Sequence, residues 1–189
     1  MRNAGESCIG ANRFYVHHSR AEEFSSGLAQ AMKALVLGDG MKEGVDVGPL
    51  VNASTINKVE QLVDQAIELG AKVLTGGSRI AGPGFFYQPT VLVDIPKHAD
   101  ILREEIFGPV APIVTFTSQD EVIEAANDTV FGLAAYVIGA NVGNALAVAE
   151  KLEAGVLGVN RGFISDPAAP FGGVKQSGIG REGSQDGLH

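Results

Sequence analysis

The only cysteine of the chain, Cys8, lies in the run Gly5-Glu6-Ser7-Cys8-Ile9-Gly10. A lone cysteine is most often a small buried hydrophobe. Gly5, Glu6, Ser7 and Gly10 around it are small or polar and form no core stripe. A thiol on a tight loop suits covalent catalysis, because the thiolate attacks carbonyl carbon and nearby backbone amides can hold the oxyanion that develops. No His or Asp is spaced to argue for a protease-like triad. Local sequence leaves both readings of Cys8 open.

Glu104-Glu105-Ile106-Phe107-Gly108-Pro109 is a second compact cluster. Two adjacent carboxylates before an aromatic and a Gly-Pro turn could hold a polar ligand edge. A solvated helix end followed by a turn explains the same residues, and on sequence alone explains them better. Gly178-Ile179-Gly180-Arg181-Glu182-Gly183 spells GxGxxG. A dinucleotide fold needs a strand before such glycines, a helix after them and an acid about twenty residues on. Only six residues follow Gly183, so the Rossmann reading is rejected, and no P-loop motif is present. His17 and His18 are adjacent, and side chains on a strand alternate between faces, which argues against a shared metal. The expected metal complement is none.

The elements that would position these residues follow from periodicity. Asn12 to His17 reads as a strand. Ser19 and Glu22 have the spacing of a capping box, with Phe24, Leu28, Met32 and Leu35 on one helical face behind it and Gly38 and Gly40 as the stop. Asn52 to Leu69 reads as a second helix, with Ile56, Val59, Leu62, Val63 and Ala66 as its apolar stripe and Gly70 fitting its C-terminal cap. Ala71 to Thr75 reads as a short buried strand, and Gln88 to Val93 and Val110 to Phe116 as further strands. Ser118 and Glu121 repeat the capping box before a helix to Asn127. Leu133 to Ile138, Asn141 to Leu152 and Gly155 to Val159 read as strand, helix and strand, with loop beyond Asn160. Strands alternating with helices predict an α/β fold, a mostly parallel sheet flanked by helices. Ligands of such sheets bind in loops beyond the carboxyl ends of the strands.

Composition narrows the partners. Fourteen Lys+Arg against 22 Asp+Glu leave a net charge of −8, which argues against a nucleic-acid module. No apolar stretch approaches the roughly 18 residues of a membrane span, and the first residues lack the apolar core of a signal peptide. The expectation is a soluble cytoplasmic protein. One cysteine excludes an internal disulfide framework.

Taken together, three segments are specific. Asn3-Ala4-Gly5-Glu6-Ser7-Cys8 resembles the active-site cysteine signature of aldehyde dehydrogenases. Glu104 to Pro109 is similar to that family's second hallmark, and Pro170 to Glu182 (PFGGVKQSGIGRE) to its third, which accounts for the false GxGxxG. Asp46 to Leu50 and Asn127 to Leu133 also fit. The resemblance runs through the whole chain in order, and it implies the catalytic domain of the aldehyde dehydrogenase fold over residues 1–189. It also implies that the N-terminal cofactor-binding domain and a C-terminal strand of the family lie outside this chain.

The resemblance implies roles. Cys8 would be the catalytic nucleophile, with its backbone amide donating to the oxyanion. The cofactor would be NAD or NADP, with Glu105 on the nicotinamide ribose hydroxyls and Phe107 packed nearby. Phe171 would wall the aldehyde pocket. Arg2, six residues before Cys8, and Ser165 match positions that in succinate-semialdehyde dehydrogenases hold the distal carboxylate; Arg offers a rigid fork for it and Ser a further donor. The implied reaction is succinate semialdehyde to succinate through a cysteine thioester, with glutarate semialdehyde or another ω-carboxy aldehyde as the adjacent alternative. The intact enzyme is expected to be a homo-oligomer. The 189 residues alone are expected to show no NAD(P)+-dependent turnover, and a truncated, non-catalytic remnant is the competing expectation. Glu6 stands where Gln is commoner in the family.

Overall fold

A computed structural model describes residues 2–188. It divides into two compact units, Met1–Phe116 and Thr117–His189.

The first unit is built on a four-stranded sheet in the order β1-β4-β3-β2, comprising β1 (Phe14–His17), β2 (Lys72–Thr75), β3 (Thr90–Val93) and β4 (Val110–Phe116). β4 pairs in parallel with β1 on one side (Phe14 opposite Ile113) and with β3 on the other (Thr90 opposite Val110). β2 runs antiparallel to β3 (Lys72 opposite Val93). Its residues 72–74 are exposed, so the strand expected to be buried is a half-open edge. Lys72 and Thr75 bracket only two apolar residues, Val73 and Leu74, too short a run to bury on both faces.

Two helices cover the sheet, α1 (Ala21–Lys33) and α2 (Ala53–Glu68). Val91, Ala111 and Ile113 face α1 and pack with Met32, Leu28 and Ala29. Leu92 and Val110 face the other side and pack with the α2 stripe. Ile56, Val59, Leu62, Val63 and Ala66 are all buried, as the helical spacing predicts. Each such fully buried branched side chain contributes about 2 kcal/mol. Asn52 caps α2, accepting from the backbone N–H of Thr55 at 2.9 Å, and Gly70 follows the helix with φ +112°.

At α1 the expected capping box does not form. The helix begins at Ala21, with Arg20 as its N-cap and no side-chain cap. Ser19 sits in a short 3-10 turn, His18–Arg20, and its hydroxyl pairs with His17 Nδ1 at 2.8 Å instead. That turn also ends the strand at His17, so the two histidines do not alternate faces. Their ring centroids lie 4.4 Å apart. The helix stops at Lys33, before Leu35 and the glycines.

The second unit holds α3 (Gln119–Asn127), β5 (Ala134–Val137), α4 (Val142–Ala149) and β6 (Val156–Val159). β5 and β6 pair in parallel, Ala134 opposite Val156, with α4 as the crossover. Ser118 caps α3 through the Glu121 N–H at 3.5 Å, and Asn141 caps α4 through the Asn144 N–H at 2.9 Å. Ala145, Ala149 and Ile164 are buried here. The fold is α/β with mostly parallel strand pairing and helical flanks. Among the described residues no helix is long and apolar enough to cross a membrane.

Candidate active site

Cys8 is exposed and sits on a loop tied to itself. The Glu6 N–H donates to the Asn3 carbonyl at 2.8 Å, the Ser7 N–H to Gly5 at 3.0 Å and the Gly10 N–H to Ser7 at 2.9 Å. Asn3 Nδ2 donates to the Glu6 carbonyl at 2.8 Å. Three successive residues, Asn3, Ala4 and Gly5, have φ of 47°, 52° and 82°. Left-handed backbone costs a non-glycine residue roughly 1 kcal/mol or more, and such residues persist where their surroundings hold them, often at functional sites. Buried Ala4 anchors the loop in the core of the first unit. Glu6 Oε1 accepts from the Val51 N–H at 3.1 Å, which fastens the loop to the segment ahead of α2.

The Glu104–Pro109 segment follows a short 3-10 turn, Asp100–Leu102. Ile106 is 1% exposed and Pro109 is buried, while Glu104 and Glu105 reach solvent. Phe107 is half-buried and has φ 54°, a further left-handed non-glycine residue. The two carboxylates differ. Glu104 lies 3.9 Å from Lys58 Nζ. Glu105 makes no hydrogen bond or ion pair among the described residues, so both its oxygens are open to a diol such as a ribose.

These two loops meet. A Cβ on Gly5 would collide with the carbonyl of Gly108, and one on Gly108 would lie 2.5 Å from Val59 Cγ2. Gly108 is thus wedged between the Cys8 loop and the stripe of α2, which explains the need for glycine in both motifs. Asn12 supplies the other tie. Its Nδ2 donates to the Glu104 carbonyl and its Oδ1 accepts from the Ile106 N–H, both at 2.8 Å. The sequence reads Asn12 as the start of the first strand, but that strand begins at Phe14, and the side-chain partners of Asn12 lie more than ninety residues away. The polar residue just beyond a candidate nucleophile loop was the only local signal.

Arg2 is exposed and belongs to the first unit with Cys8, Glu105 and Phe107. Ser165 and Phe171 belong to the second unit. Ser165 is exposed beside buried Ile164. Phe171 is half-buried and exchanges backbone hydrogen bonds with Glu182 at 2.7 and 2.8 Å. That pairing closes the third motif into a hairpin. Arg181 braces it from inside, donating to the carbonyls of Gly173, Ile179 and Gly180 at 2.8, 3.1 and 3.0 Å. Lys175 Nζ reaches the carbonyls of Asn127 and Thr129 and the Glu153 carboxylate. The glycines of the literal GxGxxG therefore belong to a braced loop. A 3-10 turn, Lys175–Ser177, precedes Gly178 where a dinucleotide fold has a strand. Among the described residues no group of three or more His, Cys, Asp and Glu could hold a metal.

Comparison with known proteins gives the chain's relatives. A succinate-semialdehyde dehydrogenase of Paenarthrobacter nicotinovorans is 51% identical over 188 residues, covering 100% of this chain and 42% of that protein. A glutarate-semialdehyde dehydrogenase of Pseudomonas putida is 46% identical over 187 residues, covering 99% of this chain and 38% of that protein. A solved NAD+ complex of an aldehyde dehydrogenase from Bacillus cereus superposes with a TM-score of 0.95 at 40% identity, covering 100% of this chain and 38% of that one. The chain thus spans about two fifths of the length of these relatives. The sequence model of the aldehyde dehydrogenase family matches residues 1–189, so the thiol loop, the open carboxylate and the braced hairpin stand in a chain that belongs to the aldehyde dehydrogenase family.

Proposed function

We propose that this chain is the thiol-bearing catalytic part of an NAD(P)+-dependent aldehyde dehydrogenase that converts succinate semialdehyde to succinate. The observation that carries the reading is the exposed Cys8 on a strained loop locked against the loop of Glu105. The Cys8 thiolate attacks the aldehyde carbon. A C–S bond forms, the carbonyl π pair moves to oxygen, and a thiohemiacetal results. When bound, NAD(P)+ would supply the hydride acceptor needed for oxidation of this carbon to a thioester. Water then cleaves the C–S bond, releasing the carboxylic acid and restoring the thiol. Glu105, with both oxygens open, would hold the ribose hydroxyls of the cofactor, and Phe107 would lie beside them. Arg2 and Ser165 would take the distal carboxylate, and Phe171 would line the pocket.

The relatives acting by name on succinate and glutarate semialdehydes support an ω-carboxy aldehyde, and glutarate semialdehyde is the second reading. We place the enzyme in the cytoplasm and read it as a homo-oligomer; apolar residues exposed on the second unit, Ile138 at 72%, Val142 at 54% and Leu146 at 48%, support the association.

The first half-reaction needs no cofactor and tests the proposal on this chain. Succinate semialdehyde is expected to slow alkylation of Cys8 by iodoacetamide, because the thiol is occupied as thiohemiacetal. Propanal at the same concentration is expected to protect far less, and R2A and S165A are expected to erase the difference. Equal protection by the two aldehydes would overturn the substrate assignment. Absence of protection would overturn the aldehyde reading itself.

A further inference from the structure

We infer that Asn12 is a positioning residue that sets the Glu105 carboxylate for its ligand, by gripping the peptide groups on both sides of Glu105 from the strand side of the nucleophile loop. The inference rests on Glu105 being a cofactor ligand, as proposed above.

The geometry is specific to an amide. The Glu104 carbonyl needs a donor and the Ile106 N–H needs an acceptor, and Asn12 offers one of each, at 2.8 Å in both cases. A primary amide carries both functions on one rigid plane. The pair closes a ring through Glu104, Glu105 and Ile106, and so limits the backbone torsions of Glu105. Ile106 is buried at 1% exposure, so its N–H has no ready access to water and depends on Asn12. Glu105 itself is exposed and makes no hydrogen bond or ion pair among the described residues. The direction of its side chain therefore follows from its backbone, and its backbone from Asn12.

The same residue is tied to the nucleophile. Asn12 stands four positions after Cys8, and Gly5 three positions before it. Gly5 presses on Gly108 at one end of the Glu104–Pro109 segment, and Asn12 grips the other end. The thiol loop thus holds the carboxylate loop at two points, and the thiol and the carboxylate belong to one interlocked frame. In a reaction whose hydride must pass between a carbon on sulfur and a nicotinamide ring, a fixed relation between the two loops is what proximity catalysis requires.

Residues 1–189 and β-nicotinamide mononucleotide, which carries the nicotinamide and its ribose, provide the test. Binding is followed by titrating 15N-labelled protein and reading the backbone signals of Glu105 and Ile106. Asn12→Ala is expected to weaken binding at least about tenfold, the scale of one or two lost hydrogen bonds. Alkylation of Cys8 by iodoacetamide should meanwhile stay within about twofold of wild type, given that the ties inside the Cys8 loop do not involve Asn12. Asn12→Asp keeps the acceptor for Ile106 but loses the donor to Glu104, and should fall between. Glu105→Ala is expected to weaken binding as much as Asn12→Ala, and the double variant no further, because Asn12 acts through Glu105. A general structural role would instead add its loss to that of Glu105→Ala. Additive loss, or wild-type binding by Asn12→Ala beside a weakened Glu105→Ala, overturns the positioning role and leaves the cofactor reading standing. Wild-type binding by Glu105→Ala, or no binding by the wild-type chain, overturns the cofactor reading and the inference with it. Should Asn12→Ala not fold, Asn12→Asp carries the same cycle with the same outcomes.

Discussion

Gly5 and Gly108 touch backbone to backbone: the Cα of Gly5, at φ +82°, faces the Gly108 carbonyl so closely that a methyl group on it would overlap that oxygen. Gly5→Ala must therefore part the Cys8 loop from the Glu105 loop as well as strain its own backbone. A loss of roughly 2–3 kcal/mol in unfolding free energy is expected, read from urea denaturation. Cys8 alkylation should change in the same variant, whereas Gly44→Ala, also at positive φ but with no atom near its added Cβ, should cost only about 1 kcal/mol.

Glu6 supplies an acceptor to the Val51 N–H, and any side-chain oxygen at that reach would serve. Glu6→Gln is expected to remain within about 0.5 kcal/mol of wild type, and Glu6→Ala to lose about 1 kcal/mol. This explains how Glu can stand where Gln is commoner. Equal denaturation midpoints for Gln and Ala would contradict it.

Tyr87 is 1% exposed, and its hydroxyl has no hydrogen-bond partner among the described residues. Burial, helped by the Asp64 and Glu60 carboxylates and opposed by Arg79, pushes its phenol well above the ordinary value. The neutral form is thus favoured in the fold. The associated stability is complete below the unfolded phenol value of about 10 and is lost as pH rises beyond it toward the folded value. Tyr87→Phe should be as stable as wild type or up to about 1 kcal/mol more so at pH ~8, since the hydroxyl is buried without a partner. Its stability should also fall less steeply than that of wild type above pH ~10. Paired urea titrations at the two pH values check both statements.

The two helix starts of the first unit separate a cap from a look-alike. Asn52→Ala removes the acceptor for the Thr55 N–H and should cost about 1 kcal/mol. Ser19→Ala removes only a pairing with His17 in an exposed turn and should cost less than about 0.5 kcal/mol. Thermal melts of the two variants side by side would show the difference.

Much of the frame was legible because it depends on near neighbours in the chain. The α2 stripe recurs at helical spacing, and every one of its five residues is buried. β4 runs over Val110–Phe116 as its apolar run predicts. Ser118 and Asn52 cap helices because the donors they serve lie three residues on. Ser19 shows where such reasoning fails. The spacing to Glu22 is right, but His17 Nδ1 competes for the same hydroxyl and a 3-10 turn intervenes. Similarly, β2 reads as a core strand until its place at the sheet edge is known.

The candidate site divides along the same line. Cys8, Glu105, Phe107, Arg2, Ser165 and Phe171 were singled out by motifs that resemble a family's, because fixed neighbours mark those positions; residue chemistry alone left Cys8 open between two readings and favoured a solvated helix end for Glu105. Which of two adjacent carboxylates is open, why Gly108 must lack a side chain, and what Asn12 does were decided only in three dimensions. Each depends on partners far apart in the chain: Lys58 beside Glu104, Gly5 and Val59 on either side of Gly108, Asn12 astride Glu105. Local sequence encodes torsion preferences and burial periodicity. It carries no record of which distant backbone groups will be left needing a donor or an acceptor once the sheet and α2 have packed, and those unmet groups are what the tertiary structure pairs.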